Sequence, residues 1–245
     1  MASGRKEKRL PTTGDFPSSL TLTITPAPSG QPPTNILILL HGLGDSHLPF
    51  AQLGTQLNLP NTACIAIKGP NVLPFETTSF HWCDDIIFDS TTNGLDPDGG
   101  FNTSTRVLTE DIINHGLIEK CNYKPRDIVF LGLGQGGMAA LNIAVSYPKE
   151  LGGVVSIGGG LPGEASPSSD PKSKTSVICV SGIDSLWVTT GSEEKLKNNF
   201  QNVQISKYRR KGDTMPKDRE EIMPIMQFFA SRLRTPAPKG TVEAV

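Results

Sequence analysis

Two glycine-rich turns contain the residues of this chain whose types and spacing best suit chemistry. One reads HGLGD at 41–45, the other reads GLGQGG at 132–137, and each follows an apolar run. Open α/β sheets bind ligands at the carboxyl ends of their strands, so both turns lie where a site is expected. Together the turns could aim backbone N–H groups at one oxyanion, whereas either turn alone is more simply a tight turn.

Apolar runs of strand length alternate along the chain with segments of helical periodicity. Most runs are nearly continuous in valine, isoleucine and leucine, which is typical of strands buried on both faces. We predict strands at 20–24, 35–40, 64–67, 127–131, 153–157, 176–180 and 203–208. We predict helices at 105–120, 138–145, 193–200 and 220–233. The alternation predicts an α/β fold: a doubly wound, mostly parallel sheet with helices on both faces.

All of these elements fit into one domain, predicted at 18–234. The 245 residues are enough to bury one large hydrophobic core. Residues 1–17 and 235–245 lack periodicity, and we predict that both segments are disordered. Segments rich in glycine, proline and serine predict surface loops at 91–100 and 160–174.

Composition excludes several classes of partner. The 23 basic and 24 acidic residues give a formal net charge of −1, so no general attraction for nucleic acid or anionic lipid is expected. No apolar run is long enough for stable membrane insertion, and the basic start lacks the apolar segment of a secretory signal. The four cysteines form no CxxC pair, which indicates free thiols and a cytoplasmic location. They are Cys64, Cys83, Cys121 and Cys179.

The two turns resemble those of the acyl-protein thioesterase, lysophospholipase and carboxylesterase family of α/β-hydrolases. HGLGD matches completely, and the family's G-x-S-x-G-G elbow is matched at Gly132 and at 135–137. The FHWCD segment at 80–84 and the last predicted helix extend the resemblance to about 20–233. The resemblance implies hydrolysis of acyl thioesters or carboxylic esters without a cofactor, on a small ester or an acylated protein. It also implies an oxyanion hole formed by the backbone N–H groups of Leu43 and Gln135.

The chain departs from this family at the residues that carry out catalysis. Gly134 stands where the elbow has its serine nucleophile, and glycine has no side chain that could attack a carbonyl. All four histidines lie at or before position 115, and by resemblance Met215 occupies the position of the catalytic base. Asp184 is a candidate for the triad acid, and a turn-forming aspartate after a strand is an equal alternative. We therefore predict a pseudohydrolase that keeps its acyl-binding cleft and oxyanion hole.

Three other interpretations arise from the sequence. A partner-binding scaffold without a ligand is the main alternative. Nucleotide binding is weaker: 132–137 satisfies GxGxxG, but the turn lies mid-chain and no acidic residue follows the next strand. A thiolate at Cys83 with His81 as base would need neighbouring residues to face one another, which is uncommon. No histidine, cysteine or carboxylate spacing predicts a metal site.

Overall fold

A seven-stranded sheet forms the centre of the protein. The computed structural model describes residues 7–74, 76–90, 94–165 and 171–236. The strands in chain order are β1 (Leu22–Thr25), β2 (Asn35–Leu40), β3 (Thr62–Ile67), β4 (Asn71–Leu73), β5 (Glu76–His81), β6 (Ile87–Asp89), β7 (Gly94–Asp96), β8 (Ile128–Leu133), β9 (Gly153–Ile157), β10 (Val177–Gly182) and β11 (Val203–Tyr208). The central sheet has the order β1-β3-β2-β8-β9-β10-β11, while β4 pairs with β5 and β6 with β7.

Strand direction agrees with the predicted class of fold. β1 is antiparallel to β3 at one edge, and all other neighbours in the central sheet run parallel. The chain passes from β2 to β3 on one side and later returns to place β8 on the other side of β2. The prediction of a doubly wound, mostly parallel α/β sheet is confirmed.

Helices cover both faces of the sheet. They are α1 (His47–Leu57), α2 (Asn102–Arg106) with a π-helical continuation over Val107–Lys120, α3 (Gln135–Ser146), α4 (Thr190–Asn199) and α5 (Arg219–Arg232). Ile36 and Ile38 of β2 face the layer of α3 and the π-helical segment, whereas Leu37 and Leu39 face the layer of α1 and α5. These four side chains are fully buried, as expected for a strand between two helical layers.

Helix α1 was absent from the sequence prediction because its apolar pattern is weak. Its second residue, Leu48, is exposed, and Gly54 stands on its buried face. A Cβ at Gly54 would lie 2.8 Å from the Cβ of Cys64 on β3, so the helix contacts the sheet through backbone. Close contact of this kind favours glycine over the large apolar side chains by which helices are recognised.

The prediction of disorder is wrong for residues 7–17. Thr13–Asp15 forms a single 3₁₀ turn, and the Arg9 guanidinium donates a 2.8 Å hydrogen bond to the Asp15 carboxylate. Phe16 is buried and packs against Gly116, where a Cβ would lie only 2.3 Å from its ring. Phe16 and an ion pair of Lys8 with Asp127 at 2.8 Å tie this segment to the core, although it has no periodicity of its own. Residues 1–6 and 237–245, which share the prediction of disorder, lie outside the described residues.

The predicted surface loops are only partly irregular. Strand β7 lies within 91–100 and pairs with β6, so that prediction is wrong at 94–96. Its alternation was too short to register as a strand. Within 160–174, Ser173 forms an isolated bridge with Phe200. Residues 91–93 and 166–170 fall outside the described part of the chain. Among described residues, no helix has the length and apolar character needed to cross a bilayer.

Candidate active-site cleft

The two glycine-rich turns meet at the point where the order of strands reverses. β2 and β8 are parallel neighbours, and Leu40 at the end of β2 is paired with Gly132. One turn follows β2 and the other follows β8, so both open at the same edge of the sheet. A Cβ at Gly42 in the first turn would lie 3.7 Å from Leu133, which shows how closely the turns approach. Ligands of open α/β sheets bind in such crevices.

Gly134 forms a sharp elbow between β8 and α3. Its φ of 49° and ψ of −116° lie in a region that residues with a Cβ rarely occupy. The turn is fixed because the Gly134 amide donates to Ile157 O at 2.7 Å and Met138 N donates to Gly134 O at 3.0 Å. A Cβ at Gly134 would meet no atom within 4 Å. The elbow therefore has the shape that would present a side chain to the cleft, with open space where that side chain would be.

The other glycines of this turn serve packing. A Cβ at Gly136 would lie 2.4 Å from Leu40 O, and one at Gly137 would lie 2.3 Å from Ser156 Oγ. A Cβ at Gly132 would lie 2.3 Å from the Gly136 backbone. These contacts let α3 begin directly against β2 and β9. Packing therefore accounts for the glycines at 132, 136 and 137.

Two backbone amides are available at the floor of the cleft. Leu43 and Gln135 both line the cavity, and Gln135 is the first residue of α3. Within the described part of the chain, neither backbone N–H donates a hydrogen bond to a protein acceptor. The first amides of a helix have no hydrogen-bond partner inside the helix, and they form the positive end of its dipole. Both amides can therefore donate to a ligand oxygen, the role that the resemblance implies for them.

The Gln135 side chain fixes this floor in a way that the sequence did not reveal. It is 1% exposed, its Oε1 accepts from Trp82 N at 2.7 Å, and its Nε2 donates to Pro97 O at 3.0 Å. The Trp82 indole N–H donates in turn to His41 O at 2.9 Å. The amide side chain thus joins the elbow to two separate loops. The partners are distant in sequence, so no local pattern could have indicated them.

His41 supports the first turn from within the protein. Its Nε2 accepts from Gly69 N at 2.8 Å, which requires the proton on Nδ1, where Gly42 O accepts at 2.7 Å. The ring is fully buried, and this burial lowers the pKa of His41. A neutral ring with both nitrogens engaged inside the protein has no free position for proton transfer to a ligand.

His81 and Cys83 do approach one another, but away from the cleft. Cys83 Sγ lies 3.3 Å from His81 Nδ1 and 2.8 Å from Asp85 O, to which the thiol donates. Burial raises the pKa of Cys83 and lowers that of His81, which opposes a thiolate–imidazolium pair. Neither residue lines the cavity. These facts weigh against a cysteine nucleophile.

Carboxylates occupy the opposite wall, where the loops after β10 and β11 meet. Asp213 Oδ2 accepts a 2.6 Å hydrogen bond from Ser185 Oγ, and Asp213 Oδ1 accepts from Gly182 N at 3.0 Å. Asp184 is exposed, and its Oδ1 accepts from Gly212 N at 2.9 Å. Asp213 lies directly over Gly158: a Cβ added at Gly158 would lie 2.4 Å from the Cβ of Asp213. No local sequence pattern singled out Ser185 or Asp213.

Met215 does not line the cavity, although the resemblance places it at the base position. Its half-buried side chain packs against the core layer of α1 and α5, and its carbonyl accepts from Arg210 Nη2 at 2.8 Å. Asp213 and Gly212, two and three residues earlier, line the cavity instead. An imidazole at position 213 would therefore lie closer to the elbow than one at 215.

The cavity between these walls has a volume of about 460 Å³, within the usual range of small-molecule sites. Its lining is mostly apolar or glycine, with polar groups at the floor and on one wall. The lining residues are Leu43, Leu95, Pro97, Gly134, Gln135, Met138, Gly158, Asp184, Ser185, Leu186, Trp187, Gly212 and Asp213. Among the described residues, no group of three or more histidine, cysteine, aspartate or glutamate side chains could hold a metal ion.

Comparison with known proteins agrees with this architecture. The model of the phospholipase/carboxylesterase family matches residues 25–234. The chain belongs to this family. The match lies within the predicted domain of 18–234 and covers both glycine-rich turns and the loops of the opposite wall.

Two curated relatives match about half of the chain. An uncharacterized hydrolase of Schizosaccharomyces pombe is 37% identical over 138 residues, which cover 52% of this chain and 54% of the relative. Acyl-protein thioesterase 1 of Saccharomyces cerevisiae is 28% identical over 140 residues, covering 53% of this chain and 59% of the relative. The chain thus spans little more than half the length of the curated relatives it matches.

Solved structures share the fold over most of their length. The esterase PE8 structure has a TM-score of 0.69 at 23% identity, covering 87% of this chain and 99% of that one. Acyl-protein thioesterase 2 of Zea mays has a TM-score of 0.63 at 22% identity, with the same coverage. At these identities the similarity establishes the fold alone.

Proposed function

We propose that this protein binds an acyl ester or thioester in the cleft and does not hydrolyse it at a useful rate. The observation that carries the proposal is the elbow at Gly134. The elbow has a constrained backbone, two free amides beside it and open space where a nucleophile would stand. A site with this floor can polarise a carbonyl without attacking it.

The side chains of the cleft do not replace the missing nucleophile and base. Among the described residues that line the cavity, Ser185 alone carries a hydroxyl, and its Oγ already accepts from Val188 N at 2.9 Å while donating to Asp213. None of these described lining residues is a histidine. Losing the serine or the histidine from a triad typically lowers kcat by about 10⁶. Both are absent here, so we expect binding without turnover.

Family membership and the shape of the cavity suggest the class of ligand. A relative named acyl-protein thioesterase makes acyl thioesters, including acylated proteins, reasonable candidates, together with carboxylic esters and free fatty acids. The apolar lining residues Leu95, Leu186 and Trp187 suit an acyl group, and the amides of Leu43 and Gln135 suit its carbonyl oxygen. No cofactor is required for this role.

The location in the cell is also part of the proposal. All four cysteines are free and buried. Free thiols are typical of reducing compartments, which supports a cytoplasmic location.

A partner-binding scaffold is the second candidate function. It is favoured by large apolar side chains that stand exposed beside the cleft, among them Phe88, Ile183 and Leu186 at 61–69% exposure. Exposed apolar clusters often mark surfaces that contact other molecules.

A matched pair of variants separates the two functions. Leu95 lines the cavity, whereas Phe88, its cross-strand partner in the β6–β7 hairpin, does not. Acyl binding predicts that p-nitrophenyl butyrate raises the Tm of the wild type and of F88E in a dose-dependent way, and that L95E reduces the shift. NAD and ATP are expected to leave the Tm unchanged. Acyl binding would be refuted if only NAD or ATP raised the Tm, or if none of the three compounds raised it.

A fluorophosphonate probe tests for an overlooked nucleophile. The account predicts no covalent labelling, because no activated serine faces the cleft. Labelling mapped to a serine would overturn the proposal, and that serine would then be the residue to study.

A further inference from the structure

Carboxylates, not an imidazole, face the ligand from the wall opposite the elbow. Asp213 and Asp184 both line the cavity, and their recorded partners are two backbone amides and the Ser185 hydroxyl. Each carboxylate has about four acceptor positions, so both retain unused acceptor capacity. In the described part of the chain, neither forms an ion pair with a lysine, arginine or histidine.

Among the residues that the structure describes, no lysine, arginine or histidine lines the cavity. The positive groups of the cleft are the amide dipoles at Leu43 and at the start of α3, on the floor. The site is thus polarised, with donors for an oxygen on the floor and negative charge on one wall. Trp187, 36% exposed, lies in the same lining as the carboxylates.

We infer that the cleft selects its ligands by charge and that Asp213 and Asp184 determine this selection. The preferred ligand is a carbonyl compound that carries an ammonium group a few bonds from the carbonyl. An uncharged ester ranks second, and an acid anion ranks last. This inference rests on the proposed function, because it assumes that the ligand carbonyl lies on the floor amides.

Simple electrostatics gives the order of preference. A unit charge near a carboxylate at a partly exposed site is attracted or repelled strongly enough to change affinity by about tenfold. An ammonium group gains this attraction, and the face of Trp187 also favours a cation. A carboxylate in place of the ammonium group meets like charge on the wall, so an ester that carries an acid anion at that position ranks last.

Three butyryl esters that differ in their terminal group measure the selection directly. They are butyrylcholine, its uncharged isostere 3,3-dimethylbutyl butyrate, and the anion 3-butyryloxypropanoate, each titrated by calorimetry at low salt. We expect butyrylcholine to bind about tenfold more tightly than the isostere, and the anion to bind more weakly than both. The preference for the cation should decrease as ionic strength rises, because salt screens charges near the surface.

Charge-neutralising variants assign the effect to the wall. D213N keeps the size and one acceptor oxygen of the side chain, and we expect it to remove most of the preference for butyrylcholine over the isostere. D184N, at an exposed position, should reduce the preference less and remains informative if D213N folds poorly. E119Q is the matched control: Glu119 is exposed on the π-helical segment and is absent from the cavity lining. E119Q should preserve the wild-type preference.

The outcomes separate this inference from the function on which it rests. If the uncharged isostere binds as tightly as butyrylcholine, the charge selection is refuted and acyl binding stands. If neither D213N nor D184N changes an observed preference, the assignment to these residues is refuted. If none of the three ligands binds, the proposed function fails, and the inference fails with it.

Discussion

The two sides of the cleft differ in how they are built. The donor side, formed by the turns at 41–45 and 132–137, is held by buried groups such as His41, Trp82 and the Gln135 side chain. The base side, formed by the loops at 183–189 and 209–218, consists largely of exposed residues. The donor side supplies backbone amides, and the base side would supply an imidazole and a carboxylate in an active hydrolase.

This difference decides how each side of the cleft tolerates substitution. The donor side is required for packing, because Gly136 and Gly137 allow α3 to begin against the sheet. Its backbone amides therefore keep their positions whatever residue stands at position 134. On the base side, exposed side chains can be exchanged with little loss of packing. Under the proposed function, folding stability preserves the half of the cleft that binds a carbonyl oxygen and leaves the other half free to change.

Rebuilding the base side should have the largest effect. Ser185 and Asp213 both line the cavity and are joined by a 2.6 Å hydrogen bond, so G134S/D213H/S185D supplies a nucleophile, a base and an orienting acid. We expect its rate with p-nitrophenyl butyrate to exceed that of G134S alone by about 10²-fold or more, the usual contribution of a positioned general base.

The matched comparison for this design is G134S/M215H, which places the imidazole at the position implied by family resemblance. Since Met215 packs against the core, we expect this variant to gain less activity. A larger gain from M215H than from D213H/S185D would show that the base position is 215. If G134S alone were as active as G134S/M215H and G134S/D213H/S185D, another residue would already act as the base.

On the donor side, two neighbouring glycines should differ in the stability they contribute. A Cβ at Gly136 would lie 2.4 Å from Leu40 O and 2.5 Å from His41 O, so G136A should lower the free energy of unfolding by about 3 kcal/mol or more. G134A places its Cβ in open space and meets only the backbone strain, about 1–2 kcal/mol. Urea denaturation measures both.

Gly30 provides the control for backbone strain, because it also has positive φ and open space around its Cβ position. G30A should cost no more than G134A. If G136A cost no more than these two variants, packing would not be what preserves the donor side.

The smallest expected effect is on acid stability. His41, His47 and His81, none of them on the base side, are buried with lowered pKa values. Their neutral forms favour the folded state above the ordinary histidine pKa of about 6.5, and this stabilisation is lost as pH falls below it. Each histidine contributes at most about 1.4 kcal/mol per pH unit.

A single variant tests this origin. His47 Nδ1 is buried and has no hydrogen-bond partner among the described residues. H47Q should therefore reduce the slope of the unfolding free energy against pH between pH 6.5 and 5 by up to about 1.4 kcal/mol per pH unit. An unchanged slope in H47Q would contradict the assignment to this buried histidine.

The features that could be predicted from the sequence are those that residues close together in the chain determine. Strand β2 was predicted with its full bounds because its apolar run is continuous. The elbow was located at Gly134 because the spacing of Gly132 and Gly136 brackets it. By contrast, the contact of Ser185 with Asp213 depends on two loops folding over the carboxyl ends of β10 and β11. The whole sheet decides that these two strands lie side by side, so no local sequence pattern predicts this contact.

We propose that the cleft binds an acyl ester without hydrolysing it. One sample can report both properties: p-nitrophenol release from p-nitrophenyl butyrate measures hydrolysis, and the dose-dependent rise in Tm measures binding. We expect a clear rise in Tm with release no faster than the protein-free blank. Turnover of the order of 10 per second, typical of an ordinary enzyme, would contradict it.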